Sequence, residues 1–174
     1  MAFQKTVLGD IAWGIPGELA LGFPEDVRSE PVQIKTVVNG AAGQVPMYGR
    51  AVTAVAGEAG VGEVGKTGQF LGLLFNPKEN VAYSALGSDA YGIEAGARLQ
   101  VVSDCAGLWV QLTTNAAIGD AVAFKADGTL VAAPLQVAPA SSKLIQGSRV
   151  VRFNTLTGIA MVSLTQLATP AVAP

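Results

Sequence analysis

Histidine is absent from this 174-residue chain, and cysteine occurs once, at Cys105. Without histidine, the chain lacks the commonest general base, the usual nitrogen ligand of metal ions and the middle member of hydrolase triads. A lone cysteine excludes an intramolecular disulfide and leaves a zinc site to be built mostly from carboxylates. Ser-x-x-Lys, Gly-x-Ser-x-Gly and calcium-loop patterns are also missing. We therefore expect no enzyme activity, no catalytic residues, no metal and no cofactor.

Charged side chains are scarce as well. They make up 14% of the chain, against about 25% in an ordinary soluble domain, whereas 50% of the residues are hydrophobic. The 11 basic residues are scattered and the net charge is −2, which argues against a nucleic-acid partner. A surface of roughly 8,000 Å² is sparsely covered by so few charges. The composition favours a protein whose surface is largely covered by partners in an assembly.

Long apolar runs are missing too, so no membrane span is predicted. The first twenty residues include Asp10, Gly14, Pro16 and Glu18, where a secretory signal needs an uninterrupted apolar core. We therefore expect synthesis in a cytoplasm and no membrane partner.

The chain divides into three zones. Residues 1–33 are rich in turn signals and read as an extended N-terminal arm, residues 34–164 as one β-domain, and residues 165–174 as a flexible C-terminal tail. In the middle zone, short apolar runs alternate with Gly, Asn and Asp at the regular spacing of a sandwich or barrel. The one short helical candidate is Asn80–Leu86. The predicted strands are Gln33–Val38, Val45–Val55, Gln69–Phe75, Arg98–Val102, Leu108–Thr113, Ala121–Phe124, Thr129–Ala133, Ser148–Phe153 and Gly158–Leu164. The fold class is therefore all-β.

Two of the turns between these strands predict β-hairpins. Lys125-Ala126-Asp127-Gly128 joins one pair, with glycine at the position that needs a positive φ. The segment 103–107, Ser-Asp-Cys-Ala-Gly, is predicted to join the strands on either side of it.

A phosphate-loop pattern occurs in residues 60–67, GVGEVGKT. In such a loop Lys66 contacts phosphates and Thr67 binds magnesium, provided that a helix follows. Here Gly68, Gly72 and Pro77 follow, and residues 69–75 read as a strand. We interpret the match as a surface loop without nucleotide affinity. The motif positions concerned are Gly60, Gly65, Lys66 and Thr67.

The N-terminal arm carries apolar side chains that its glycines and prolines prevent from forming a helix or a long strand. It either packs as an edge strand on its own domain or lies on a neighbour. The cost of ordering about thirty residues favours ordering against a preformed surface, such as a neighbouring subunit. Trp13 is a candidate intermolecular anchor, whereas Trp109 reads as core packing in a strand. The candidate partner-contact residues are Phe3, Trp13, Ile15, Pro16, Leu19, Leu21, Phe23 and Pro24.

Three stretches resemble the structural cement proteins that decorate tailed-phage capsids. They are residues 14–19 (GIPGEL), the segment 68–78 (GQFLGLLFNPK), and the hairpin from Gly119 to Leu130 followed by 158–162 (GIAMV). Each is a soft pattern of glycines and apolar residues, and together they span most of the chain. The resemblance implies a β-sandwich of jelly-roll type with extended termini.

It also implies a role. Copies pair with one another, as a homodimer or a trimer, and clamp major capsid protein subunits from the outside of the virion after synthesis in the bacterial host. Two other functions stay open: another virion or carbohydrate-binding β-module, which exposed aromatics on one sheet face would favour, and a nucleotide-binding protein, which residues 60–67 would require.

Overall fold

A computed structural model describes residues 14–20, 32–41, 48–66, 68–76 and 95–165. This part of the chain is all-β, as predicted, apart from a three-residue 3-10 helix at Pro134–Gln136. No helix within these ranges has the length and apolar character needed to cross a membrane. The strands are β1 (Gln33–Asn39), β2 (Ala51–Ala54), β3 (Val61–Val64), β4 (Phe70–Leu74), β5 (Arg98–Gln111), β6 (Ala121–Lys125), β7 (Leu130–Ala133), β8 (Ser142–Leu144), β9 (Ser148–Phe153) and β10 (Ile159–Leu164).

The first five strands close into a ring in the order β1-β3-β2-β4-β5, and β5 pairs back onto β1. Only the β1–β3 pairing is parallel. The sequence predicted a sandwich or a barrel, and these five strands form a barrel. Inside the ring, six aliphatic side chains form a core of their own. They are Val37, Val52, Val64, Leu74, Leu99 and Val101.

The long strand β5 connects this barrel to a second layer. Its first half pairs with β1 and β4, and its second half pairs with β10, which in turn pairs with β9. A separate three-stranded sheet, in the order β7-β6-β8, completes the layer. The main core lies between the layers, where the rings of Phe70 in β4 and Phe124 in β6 stand 5.8 Å apart. Its members include Ala51, Leu73, Val102, Leu108, Val122, Leu130, Val150 and Val162.

The hairpin predicted at Asp127-Gly128 is confirmed. β6 and β7 pair antiparallel from Ala121↔Ala133 to Phe124↔Leu130. Gly128 has a φ of +80°, and an added Cβ would lie 2.8 Å from a Val64 methyl group. The turn therefore needs glycine for its conformation and for its close approach to the barrel.

The second predicted hairpin is wrong, because residues 103–107 continue one strand, β5. Ser103 is buried, Asp104 is in register with Gln33 of β1, and Cys105 with Leu164 of β10. Gly107 lies where an added Cβ would approach the Met161 side chain at 3.1 Å. Residues 103–107 resemble a turn in sequence, but they form a strand because strands pair with them on both sides.

One further prediction is wrong in part, and two strands were missed. The strand predicted at Val45–Val55 is limited to Ala51–Ala54 in the part of the chain that the structure describes, and residues 42–47 lie outside it. Strands β3 and β8 were not predicted from the sequence. The helical candidate Asn80–Leu86 lies outside the described residues, as do tail residues 166–174.

Candidate interaction surfaces

Residues 14–20 of the predicted N-terminal arm lie along β5, and the two other described arm residues, 32 and 33, lie at β1. The Gly17 N–H donates to the Trp109 carbonyl at 2.7 Å, and the Trp109 N–H donates to the Glu18 carbonyl at 2.9 Å. One residue pair further on, the Ala20 N–H donates to the Gly107 carbonyl at 2.9 Å. This short antiparallel pairing attaches the segment to its own domain.

Side-chain contacts agree with this pairing. Leu19 is half-buried and packs against the main core. Gly14 leaves no room for a Cβ, because the Trp109 indole occupies that space. Trp109 itself is only 8% exposed, which confirms the prediction of core packing. For residues 14–20, the structure therefore shows the first of the two predicted alternatives, packing on the chain's own domain.

The predicted partner-contact residues differ in how far their side chains are exposed to solvent. Ile15 is 57% exposed, Pro16 is half-buried and Leu19 contributes to the chain's own core. The remaining candidates lie outside the described residues: Phe3, Trp13, Leu21, Phe23 and Pro24.

The phosphate-loop pattern adopts a conformation that differs from the predicted surface loop. Val61–Val64 forms β3, which pairs with β2 on one side and β1 on the other. The next two N–H groups also have protein acceptors: that of Gly65 donates to the Ala51 carbonyl at 2.8 Å, and that of Lys66 to the Ala126 carbonyl at 2.7 Å. These are the amides with which a phosphate loop binds its ligand.

The residues around the motif also differ from a phosphate site. The Gly65 carbonyl accepts from the buried Thr53 hydroxyl, which fixes this turn from the other side. From Gly68 the chain enters strand β4 at Phe70, where a phosphate loop enters a helix. Lys66 is exposed, and Thr67 lies outside the described residues. Residues 60–66 thus form a structural part of the barrel.

The β6–β7 turn contains a carboxylate that is hydrogen-bonded within the turn, that of Asp127. The Thr129 hydroxyl donates to the Asp127 carboxylate at 2.6 Å, and the Thr129 N–H donates to it at 2.9 Å. These hydrogen bonds, with help from the positive charge of Arg50, lower the pKa of Asp127. Arg50 also donates to the Asp127 carbonyl at 3.2 Å, which joins the turn to the barrel. The arrangement is that of a stabilised turn.

Acidic, histidine and cysteine side chains form no cluster of three that could hold a metal ion among the described residues. Aromatic side chains in the same ranges are buried or half-buried, so they offer no exposed stacking platform for sugars or bases. The six concerned are Tyr48, Phe70, Phe75, Trp109, Phe124 and Phe153.

The exposed surface is instead marked by large aliphatic side chains in separate places. One set follows the outer face of β1, where Ile34, Thr36 and Val38 occupy alternate positions and Val32 precedes them. We call these four residues the β1 stripe. A second set, Ile118 (73% exposed), Leu135 (93%) and Val137 (67%), lies beyond the ends of β6 and β7. Two further positions are Ile15 and Leu156.

Sequence reasoning missed the second set and Leu156, because single apolar residues between turn formers follow no strand or helix period. The available signal was composition: residues 134–142, PLQVAPASS, carry no charge and contain two prolines.

Comparison with known families decides the class of protein. Residues 3–165 match the model of the family described as "Structural cement protein (E217 gp24/Pam3 gp6)".

The chain belongs to the phage structural cement protein family.

The resemblance inferred from the three sequence stretches is thus confirmed. A chain in the structure titled "The capsid of Myoviridae Phage XM1" has the same fold, with a TM-score of 0.59 at 16% identity. The match covers 95% of this chain and 99% of that one. No curated protein sequence matches the chain. This cement-family protein therefore has a structural role in a phage.

Proposed function

We propose that this protein binds the outer surface of a phage capsid and stabilises it by bridging neighbouring major capsid protein subunits, without enzymatic activity. The observation that carries the proposal is the family match over residues 3–165.

The distribution of apolar surface supports bridging. A bridging protein needs at least two contact surfaces that face different neighbours. The β1 stripe lies on the barrel, whereas Ile118, Leu135 and Val137 lie at the end of the β6–β7 hairpin that points away from the barrel. The five residues of β6 make the hairpin about 16 Å long. Two apolar surfaces in separate parts of the fold can serve two partners.

The low charge supports the same role. Stable protein interfaces bury about 800 Å² per partner, and their centres are depleted of charged residues. A chain with 14% charged residues can supply several such contacts without desolvating many ionic groups. In the free protein, the exposed aliphatic side chains lie in water. On the shell, they would contact the capsid.

We further propose that copies associate as a homodimer, with a trimer as the alternative. The β1 stripe is the surface best suited to this contact, because a two-fold axis places the same patch against itself. The four β-branched side chains of the stripe carry no charge, and Arg98 of β5, opposite Val38, lies at its end. Sedimentation equilibrium of the purified protein measures the number of copies directly.

The experiment that tests the function uses empty shells of the phage that encodes this chain, prepared without the cement protein. Addition of the purified protein should give saturable binding and should raise the temperature at which the shells disrupt, measured by light scattering. A matched sample with serum albumin controls for crowding. Shells that bind no protein, or that bind it without a change in disruption temperature, would contradict the proposal.

A further inference from the structure

The ends of β6 and β7 form an uncharged apolar tip. Ala121 pairs with Ala133 at the last position of the hairpin. Ile118 precedes that pair by three residues and Leu135 follows it by two, so both emerge from the same end of the sheet. We call Ile118, Leu135 and Val137 the distal tip. Residues 113–119 and 134–142, the two loops that carry it, contain no charged side chain.

The loop that carries Leu135 has an unusual backbone. Leu135 and Gln136 have φ angles of +54° and +60°, and the side chain of Leu135 is 93% exposed. Two consecutive residues other than glycine in this region are disfavoured, and such a conformation persists only where the surrounding structure holds it. The conformation directs the Leu135 side chain into solvent, where it adds nothing to the chain's own core.

Both loops are nevertheless fixed in place. The Val137 N–H donates to the Pro134 carbonyl at 3.1 Å, and the Ser142 N–H donates to the Pro139 carbonyl at 3.1 Å. In the other loop, the Asp120 carboxylate accepts from the Ala117 N–H at 2.8 Å. Gly119 and Asp120 are hydrogen-bonded to Val150 of β9 at 2.8 and 2.7 Å.

The sheet beneath the loops is rigid as well. Small side chains of β6 and β7 pack there against Ala138 and Leu144. The buried members of this layer are Ala121, Ala123, Val131 and Ala133. A fixed apolar projection loses little conformational entropy on binding, which is the property of a preorganised anchor.

The charges at the rim fit the same role. Asp120 and Arg149 lie beside the apolar centre, Arg149 next to Gly119. An apolar centre with a polar rim is the usual anatomy of a protein–protein contact. The described tip has no tryptophan, tyrosine or lysine, the residues that favour insertion at a membrane surface.

The small size of the distal tip indicates that it binds another protein rather than a second copy of this chain. A self-sufficient interface uses about 20–30 residues on each side. Two short loops with three large side chains cannot hold a dimer alone. They can add an anchor to a complex that has other contacts, as a protein attached to a shell at several points has.

We infer that the distal tip is the anchor that inserts into an apolar, uncharged pocket of the major capsid protein, with Leu135 at its centre. The inference rests on the proposed function and adds to it the surface and the chemistry of the contact.

The test compares variants in binding to the same cement-free shells. Leu135→Asn is the main variant, because asparagine tolerates the left-handed backbone better than most residues. Leu156→Asn is the matched control, since Leu156 is 80% exposed but lies in the β9–β10 turn. We expect Leu135→Asn to weaken shell binding by about tenfold or more, the effect of losing a buried leucine contact. Leu156→Asn should change it less than about twofold.

A second variant and a second readout keep the inference separate from the proposed function. Ile118→Ser added to Leu135→Asn should weaken shell binding further, while melting temperatures stay near that of the unmodified protein because both residues are exposed. Normal shell binding by both variants would overturn the tip as the anchor and leave the function intact. Failure of the unmodified protein to bind would overturn both. Loss of self-association with unchanged shell binding would assign the tip to a second copy.

Discussion

Gly60 and Gly65 belong to the same sequence motif and have nearly the same φ angle, +76° and +77°. Their surroundings differ. An added Cβ at Gly60 meets nothing within 4 Å, whereas at Gly65 it would lie 2.7 Å from the Gly128 nitrogen and closer still to the Ala126 carbonyl. The glycine at position 65 is thus required by packing between the barrel and the β6–β7 turn, and no phosphate is needed to explain it.

This difference gives a prediction with an internal control. Gly60→Ala should cost about 1 kcal/mol of unfolding free energy, the strain of a positive φ. Gly65→Ala adds a backbone clash and should cost at least about 2 kcal/mol more. Urea unfolding of the two variants measures the difference. Equal destabilisation would mean that the β6–β7 turn does not pack on Gly65 as described.

Leu19 and Ile15 make a second pair at the residue scale. Both were predicted to contact a partner, but Leu19 packs on the chain's own core and Ile15 is mostly exposed. Leu19→Ala should lower the unfolding free energy by about 1–2 kcal/mol, because it removes half-buried apolar contacts. Ile15→Ala should stay within about 0.5 kcal/mol. If thermal unfolding shows no loss for Leu19→Ala, residues 14–20 are not docked on β5.

At the scale of elements, the sequence predicted the structure correctly where neighbouring residues determine it. It failed where pairing with strands distant in the sequence determines it. The β6–β7 hairpin was predictable because Asp127 and Gly128 favour that turn in any context. Residues 103–107 have similar turn formers, but pairing with β1 and β10 extends them into β5. Strand β3 was hidden because Gly62 faces the barrel interior, where an added Cβ would lie 2.9 Å from a Val37 methyl group.

The β6–β7 turn also predicts a pH dependence. An unfolded aspartate has a pKa of about 3.9, and in the fold the pKa of Asp127 is lowered, first by the Thr129 hydroxyl. The stabilisation is therefore present above pH about 4 and is lost as the pH falls through the folded pKa. Asp127→Ala should cost about 1 kcal/mol at pH 7 through the lost hydrogen bonds, and less as the pH falls toward 2.

The control for this prediction is Thr129→Val, which keeps the carboxylate and removes the hydroxyl that donates to it. Chemical unfolding at a series of pH values should show a weaker acid dependence for this variant than for the unmodified protein. A cost of Asp127→Ala that does not change between pH 7 and pH 2 would show that the carboxylate charge contributes nothing to the turn.

For the whole molecule, composition was the most informative part of the sequence. The absence of histidine and the low charge predicted a structural protein in an assembly, and the family match confirms a structural phage protein. Composition could not predict where the contact surfaces lie. The β1 stripe and the distal tip depend on which side of a strand is covered and where a hairpin ends, and both are properties of the folded chain.

The bridging role is tested most directly by cryo-electron microscopy of shells saturated with the purified protein. We predict density on the outer surface at the junctions between capsid subunits, with each copy contacting at least two of them and the loop of Leu135 buried in one. Density on the inner face, or copies that each rest on a single subunit, would contradict the account.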